Sequence, residues 1–311
     1  MSILVVGSVA FDSIETPHGQ VERCLGGAAT HFALAARFFT QVRVIAVVGE
    51  DFSAQHEAVL TARGIDTAGI EHAQGNSFHW RGAYQGNLNE AQTLQTDLNV
   101  FANFQPKIPA EYVDSEYLFL ANIDPVLQSQ VRSQMPRVRM VCGDTMNYWI
   151  TGHADKLAQV LRGLDTLLIN DGEAKLLADQ PNLVTAAERI LQMGPKTLII
   201  KHGEYGATAF FSERSFAGKL RQRFFRVPAL PLAEVVDPTG AGDSFAGGFF
   251  GYLSAQPELT LATFQRAMFY GSVMGSFAVE RFGTERMQQL TRAEIDQRFA
   301  FLRELSHLEA D

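Results

Sequence analysis

Cysteine is nearly absent from this chain: 311 residues carry only Cys24 and Cys142, with no metal-type spacing between them. That argues against a disulfide framework or a cysteine-based zinc site, and a reduced thiol pair is the expectation. Long hydrophobic runs are also missing. No stretch approaches the roughly 20 apolar residues that a membrane helix needs. The opening Met1-Ser2-Ile3-Leu4-Val5-Val6-Gly7 has no basic lead-in and reads as a buried strand rather than a secretory signal, so a cytoplasmic protein is expected. An excess of positive charge is lacking too: 26 Lys and Arg against 34 Asp and Glu give a net charge of −8. Nucleic acid and anionic membranes are therefore poor partners. A phosphate ligand stays open, because backbone amides can supply a local positive field. Internal repeats and low-complexity segments are absent as well. What is present, 46% hydrophobic and 19% charged residues, is ordinary for a globular protein able to bury a large core.

Short continuous apolar runs at 3–6, 42–48, 117–121, 139–141, 166–169 and 197–200 read as strands covered on both faces. Helical patterns at 28–39, 154–164 and 183–193 alternate with them, and Asp51 is placed to cap another helix that ends near Arg63-Gly64. Repeated strand–helix units predict an α/β fold: a mostly parallel central sheet with helices on both faces. Two stretches break the rhythm. Residues 14–24 are polar and interrupted by Thr16-Pro17-His18-Gly19, as in a small hairpin. Between 75 and 109, Phe78, Trp80 and Tyr84 sit among Gly, Asn, Gln and Thr with no helical period. Together they read as one small discontinuous β-element, at about 13–25 and 76–108, within a single domain spanning 1–311. A late hairpin is expected from 206–211 and 220–227, and Thr291-Arg292-Ala293-Glu294 is a capping box for the last helix.

In an open sheet of this kind ligands bind at the C-terminal strand ends. Asp12, Asn122, Asp124, Asp144, Asn147, Asn170, Glu173 and Asp243 all follow apolar strands or turns, a polar crown suited to a many-hydroxyl substrate. The densest chemistry lies at Asp237-Pro238-Thr239-Gly240-Ala241-Gly242-Asp243, ahead of a small-and-aromatic helix containing Gly247 and Gly248. Glycines at a helix start let successive N–H groups converge on an anion. A carboxylate there is a poor neighbour for a resting phosphate but suits a hydroxyl that loses a proton during phosphoryl transfer.

Four motifs then occur in order: Gly26-Gly27 opening a helix, Asn170-Asp171-Gly172-Glu173, Lys201-His202-Gly203-Glu204-Tyr205-Gly206, and the Asp237 to Asp243 stretch. In that order they strongly resemble the PfkB (ribokinase-like) family of sugar and nucleoside kinases, from Gly7 to about Gly283. The resemblance implies a ribokinase-like core with a β-lid, and ATP-dependent, magnesium-dependent phosphorylation of an alcohol, a primary hydroxymethyl. It implies Asp243 as base, with Gly240, Ala241 and Gly242 as the anion hole. Asp12 would hold substrate hydroxyls, and Gly26 and Gly27 would hinge the lid. Asn170 and Glu173 would organise magnesium and the ATP phosphates, with Thr239, Gly203 and Gly206 beside the nucleotide.

Each assignment has a structural alternative. Asp12 reads equally as a turn residue, Asn170 and Glu173 as a helix capping box, and Gly203 to Gly206 as a tight turn. Lys201 stands where the family usually has Thr or Ser, either adding charge to the transferring phosphate or pointing to solvent. His31 occupies a place that often holds a substrate-binding Asn, and a packed core histidine is the other reading. Asp237 matches a position that serves a monovalent-cation site, such as one for K+, in several relatives, or else ends a strand. Phe78, Trp80 and Tyr84 are expected in the lid core or a homodimer face. Asp144 to Trp149 is similar to the Asp-x-Asn-x-Arg stretch of some sugar-acid and fructose kinases but lacks the Arg.

A plain sugar is placed slightly ahead of a nucleoside as acceptor. The Gly7 to Asp12 run and the Thr291 to Asp296 ending nevertheless look similar to bacterial nucleoside kinases of the family. A non-catalytic ligand-binding protein is the rival reading, disfavoured by the intact Gly-Ala-Gly-Asp run. A nicotinamide dehydrogenase is disfavoured because the first strand lacks a Gly-x-Gly-x-x-Gly turn.

Overall fold

The apolar runs assemble a nine-stranded sheet, seen in a computed structural model that describes residues 1–86, 88–215 and 223–307. The strands, in chain order, are β1 (Ser2–Val6), β2 (Ala10–Thr16), β3 (Gly19–Gly26), β4 (Gln41–Val48), β5 (Asp66–His72), β6 (His79–Ala83) and β7 (Gln92–Asp97). They continue with β8 (Tyr117–Leu120), β9 (Met140–Asp144), β10 (Thr166–Asn170), β11 (Thr197–Lys201), β12 (Ala207–Phe211) and β13 (Phe224–Val227). The large sheet runs β13-β12-β11-β10-β9-β8-β1-β4-β5. All its pairings from β5 to β11 are parallel, and only those involving β12 are antiparallel.

Alternation along β1 shows why parallel strands read as unbroken apolar runs. Ile3 and Val5 enter the core on one face of the sheet, while Leu4 and Val6 enter the core on the other. The first face is covered by α1 (Ala28–Ala36), α8 (Ala241–Ser254) and α9 (Leu261–Ala278), with α2 (Ala54–Thr61), α10 (Glu285–Gln289) and α11 (Arg292–Leu305) around them. The second carries α3 (Pro125–Gln134), α4 (Asn147–Gly152), α5 (Ala154–Leu161), α6 (Asp171–Ala178) and α7 (Leu183–Met193). Glycine costs about 1 kcal/mol in a helix interior relative to alanine. In α8 a side chain at Gly247 would strike the Phe32 carbonyl of α1, and one at Gly248 would strike Met274 and Tyr270 of α9. The glycines are what let three helices approach so closely that α8 is almost wholly buried.

The chain leaves the large sheet after β1 and enters a separate four-stranded sheet of order β3-β2-β6-β7. Here β2 and β3 form an antiparallel hairpin, β2 and β6 are parallel, and β7 is an exposed edge. Phe78 stacks on Phe101 at 5.4 Å, and Phe101 packs against the core of the large sheet, so this aromatic lies at the junction of the two sheets.

Local expectations were met unevenly. The capping box at Thr291 and Glu294 is present. Asp51 does not cap α2; Ser53 does, because the Asp51 carboxylate is taken by Ser77 and by Arg23 at 2.6 Å. β5 was not anticipated, since Asp66 to His72 is a half-exposed stretch with little apolar pattern. The late hairpin pairs β12 with β13, but residues 220–222 of its expected second arm lie outside the described residues. Among the described residues no helix is long and apolar enough to cross a membrane.

Candidate active site

Four loops converge where β9, β10 and β11 end and α8 begins. Gly240 is the N-cap of α8 at φ 73°, the left-handed region where a side chain is strained. A Cβ there would also overlap the His31 ring from α1. The helix thus begins at Ala241, one turn earlier than a Gly-Ala-Gly loop followed by a helix would have it. Asp243 is its third residue. Gly240 has no side chain to cap the first turn; the Ala241 N–H turns back to the Pro238 carbonyl at 3.2 Å, which leaves the Gly242 N–H open among the described residues.

Asp243 is half-buried, and desolvation pushes its pKa up to about 6 against the opposing pull of Lys201. Asp12, on β2, is 5% exposed. Burial drives it up to about 7, partly offset by a hydrogen bond from the Gly27 N–H and reinforced by the charges of Asp237 and Asp243. A side chain on Gly26 would overlap the Asp12 carboxylate, which is why the β3–α1 turn is Gly-Gly. Asp12 and Asp243 are thus two acids close enough for the charge of Asp243 to act on Asp12, and desolvation holds both above the ordinary carboxylate range.

At the end of β10, Asn170 and Glu173 form a reciprocal capping box. The Glu173 N–H donates to Asn170 Oδ1 at 2.7 Å, and the Asn170 N–H donates to Glu173 Oε2 at 2.8 Å. The structural reading of this pair is thus present in full, at a strand end that faces the same crevice. Burial raises Glu173 while Lys201 lowers it, so these two also share the site. One strand over, Lys201 ends β11 and leads into a turn closed by the His202 N–H donating to the Gly206 carbonyl at 2.8 Å. Gly203, within that turn, lies against Asn89 from the loop between β6 and β7.

Other sequence-selected residues take structural posts. His31 is 1% exposed with neither ring nitrogen hydrogen-bonded, and burial lowers its pKa to about 4. It packs as a neutral ring beneath Gly240. Asp237 is fully buried and accepts the N–H groups of Thr239 at 2.9 Å and Gly283 at 2.8 Å. It holds the glycine turn to the segment after α9, and both its oxygens are engaged. Asp124 caps α3, and Asn122 is held by the Trp149 indole at 3.0 Å.

Three residues gain weight only in three dimensions. Tyr84, expected as lid core, places its hydroxyl 3.1 Å from Thr239 Oγ1, so the small sheet touches the glycine turn directly. Thr16 adds a second tie by donating to the Val236 carbonyl at 2.9 Å. Asp144, at the end of β9, is 7% exposed with one carboxylate oxygen unpartnered. Burial and the nearby charge of Asp243 raise its pKa well above the ordinary carboxylate range.

Among the described residues no group of three or more His, Cys, Asp or Glu is arranged to hold a metal. Glu173 keeps one oxygen outside its capping bond. A single protein carboxylate fits magnesium carried mainly by phosphate oxygens and water rather than by a protein cage.

Comparison with known proteins follows the same lines. A family model described as pfkB family carbohydrate kinase matches residues 1–290. A cytidine kinase of Thermococcus kodakarensis is 26% identical over 83% of this chain and 90% of its own length. A nucleoside kinase of Methanothermobacter thermautotrophicus is 24% identical over 91% of each chain. The solved structure of Burkholderia thailandensis nucleoside kinase in complex with inosine superposes with a TM-score of 0.75 at 22% identity, covering 96% of this chain and 98% of that one.

Proposed function

Given that the chain belongs to the pfkB family of carbohydrate kinases, and so is a phosphotransferase, we propose that it transfers the γ-phosphoryl group of ATP to the primary hydroxyl of a nucleoside. The observation that carries the reaction is the start of α8: a helix N-terminus without a side-chain cap, with the half-buried Asp243 carboxylate in its first turn. As the acceptor oxygen bonds to phosphorus, its proton passes to Asp243. The bond from phosphorus to the bridging oxygen breaks, and its electron pair leaves with ADP. The Gly242 N–H, in the first turn of α8, faces the charge on the moving group, supplying stabilisation that needs no reorganisation, while the Ala241 N–H is held by the Pro238 carbonyl.

Asp12 accepts hydrogen bonds from acceptor hydroxyls, a task a carboxylate does well because it only accepts. Gly26 and Gly27 give the small sheet its hinge, and closure of that sheet as a lid excludes water that would hydrolyse ATP. Asn170 and Glu173 orient magnesium, which would neutralise phosphate charge. Gly203, Gly206 and Thr239 border the nucleotide. With both oxygens of Asp237 engaged by backbone, no step is assigned to a monovalent cation.

Support for a nucleoside over a plain sugar comes from the cytidine and nucleoside kinases that align along most of this chain. The plain sugar remains the second reading, favoured by the carbohydrate-kinase description of the family and by the missing Arg after Asp144, which speaks only against sugar acids. ADP release measured over cytidine, uridine, adenosine, inosine, ribose and fructose decides between them. Activity confined to free sugars contradicts the nucleoside reading, and formation of a nucleoside 5′-monophosphate bears it out.

A further inference from the structure

Gly242 has no positive φ, so its lack of a side chain answers to space rather than to backbone conformation. The space is taken by Lys201. A Cβ built on Gly242 would lie 2.7 Å from Lys201 Nζ and 3.6 Å from Cε. The lysine therefore runs from the end of β11 along the first turn of α8 and sets its ammonium over the second residue of that helix. There the half-buried ammonium makes no hydrogen bond or ion pair among the described residues.

This is an awkward place for a cation. The N-terminus of a helix carries about half a positive charge, and a lysine beside it is repelled. The nearby carboxylates of Asp243, Asp144 and Glu173 offset the repulsion at a distance, since Lys201 lowers the pKa of all three, yet none of them forms an ion pair with it. An anion lying between the ammonium and the open Gly242 N–H would satisfy both at once.

We propose that Lys201 is a catalytic residue of the phosphotransfer, its ammonium seated by Gly242 so that it touches the phosphoryl group in flight between donor and acceptor. The inference rests on the kinase reading above. The acceptor proton goes to Asp243, the electron pair of the broken bond leaves with ADP, and Lys201 keeps its own proton throughout. It acts as a fixed point charge, as a lysine does on phosphate. Because charge on the phosphoryl oxygens changes most in the transition state, the contact raises turnover more than substrate affinity.

The test uses Lys201→Met and, independently, Gly242→Ala, which keeps the charge but expels the ammonium from its seat. Both are expected to lower kcat about 100-fold or more, with acceptor KM changed less than threefold. The melting temperature of Lys201→Met should stay level or rise, because an unpaired charge leaves a helix N-terminus. A lysine of structural value would lower it. A binding readout separates chemistry from fold: nitrate, a planar anion shaped like the moving phosphoryl group, should tighten ADP binding in the presence of acceptor for the wild type but not for Lys201→Met. A kcat within threefold of wild type in Lys201→Met, or nitrate acting equally on both, overturns the proposal. Wild-type protein that releases no ADP with any acceptor would instead remove the kinase reading beneath it.

Discussion

Two helices of this protein begin at the same edge of the sheet and carry a carboxylate at the same place, the third residue, yet the two carboxylates have opposite employment. In α6 the N-cap is Asn170, and Glu173 folds back onto its N–H, so donors and acceptors at the helix start satisfy one another. In α8 the N-cap is Gly240, which offers no side chain, and Asp243 makes no bond to it. The first arrangement closes a helix end. The second leaves the Gly242 N–H open among the described residues and the Asp243 carboxylate unclaimed by the cap, the arrangement on which the proposed chemistry rests. What separates a structural helix start from a chemical one here is the residue at the cap.

The largest effect expected from breaking this contrast is on the free carboxylate. Asp243→Asn should lower turnover by about 10²- to 10⁴-fold, the usual range for a lost general base. Its melting temperature should not fall, because the substitution removes a charge that burial opposes. Near-normal turnover would return Asp243 to the status of an ordinary first-turn acid.

Next comes the cap. Gly240→Ala forces a side chain into the left-handed region and against the buried His31 ring, so both activity and stability should fall. Backbone strain alone costs about 1–3 kcal/mol. Chemical denaturation and steady-state kinetics read the two losses together. An alanine tolerated without cost would mean that the glycine turn is not strained as described.

The α6 pair sharpens the comparison from the other side. Asn170→Ala should destabilise by about 1 kcal/mol, the ordinary value of an N-cap. Glu173→Ala should add a rise in the magnesium concentration needed for half-maximal activity. If both variants lose only stability, α6 is a capped helix and nothing more.

The smallest effect concerns Asp12 in the ligand-free protein. Its pKa rises from 3.8 to about 7 on folding, so the folded chain binds more protons than the unfolded one between those values. Its contribution to stability is present below pH 3.8 and is lost as pH climbs toward about 7. Asp12→Asn should therefore flatten part of the decline in melting temperature across that window. An unchanged slope would mean that Asp12 is not held neutral by its surroundings.

Much of this was written in local patterns. The alternating apolar runs announced the parallel sheet, and Asn170 with Glu173 could be read as a capping box because both partners lie within one turn. The glycine run before Asp243 was likewise legible as the turn that leads into a helix. Pairs distant in sequence were not. Lys201 and Gly242 meet only because β11 ends beside the start of α8, and nothing near Gly242 signals that its missing side chain makes room for an ammonium. Tyr84 reaches Thr239 across 155 positions of chain, so its aromatic neighbours suggested core rather than contact with the site. Asp51 had the right spacing for a cap but a stronger offer from Ser77 and Arg23. β5 escaped notice because an exposed edge strand needs few apolar residues to pair.

Phosphotransfer by this chain turns on the Asp243 carboxylate acting as the base, and the dependence of acceptor kcat/KM on pH tests that most directly. With Asp243 shifted to about 6 in the ligand-free protein, kcat/KM should fall on the acid side with its midpoint near pH 6, and the same limb should persist in Asp12→Asn. A kcat/KM that stays level down to pH 4.5 would contradict it.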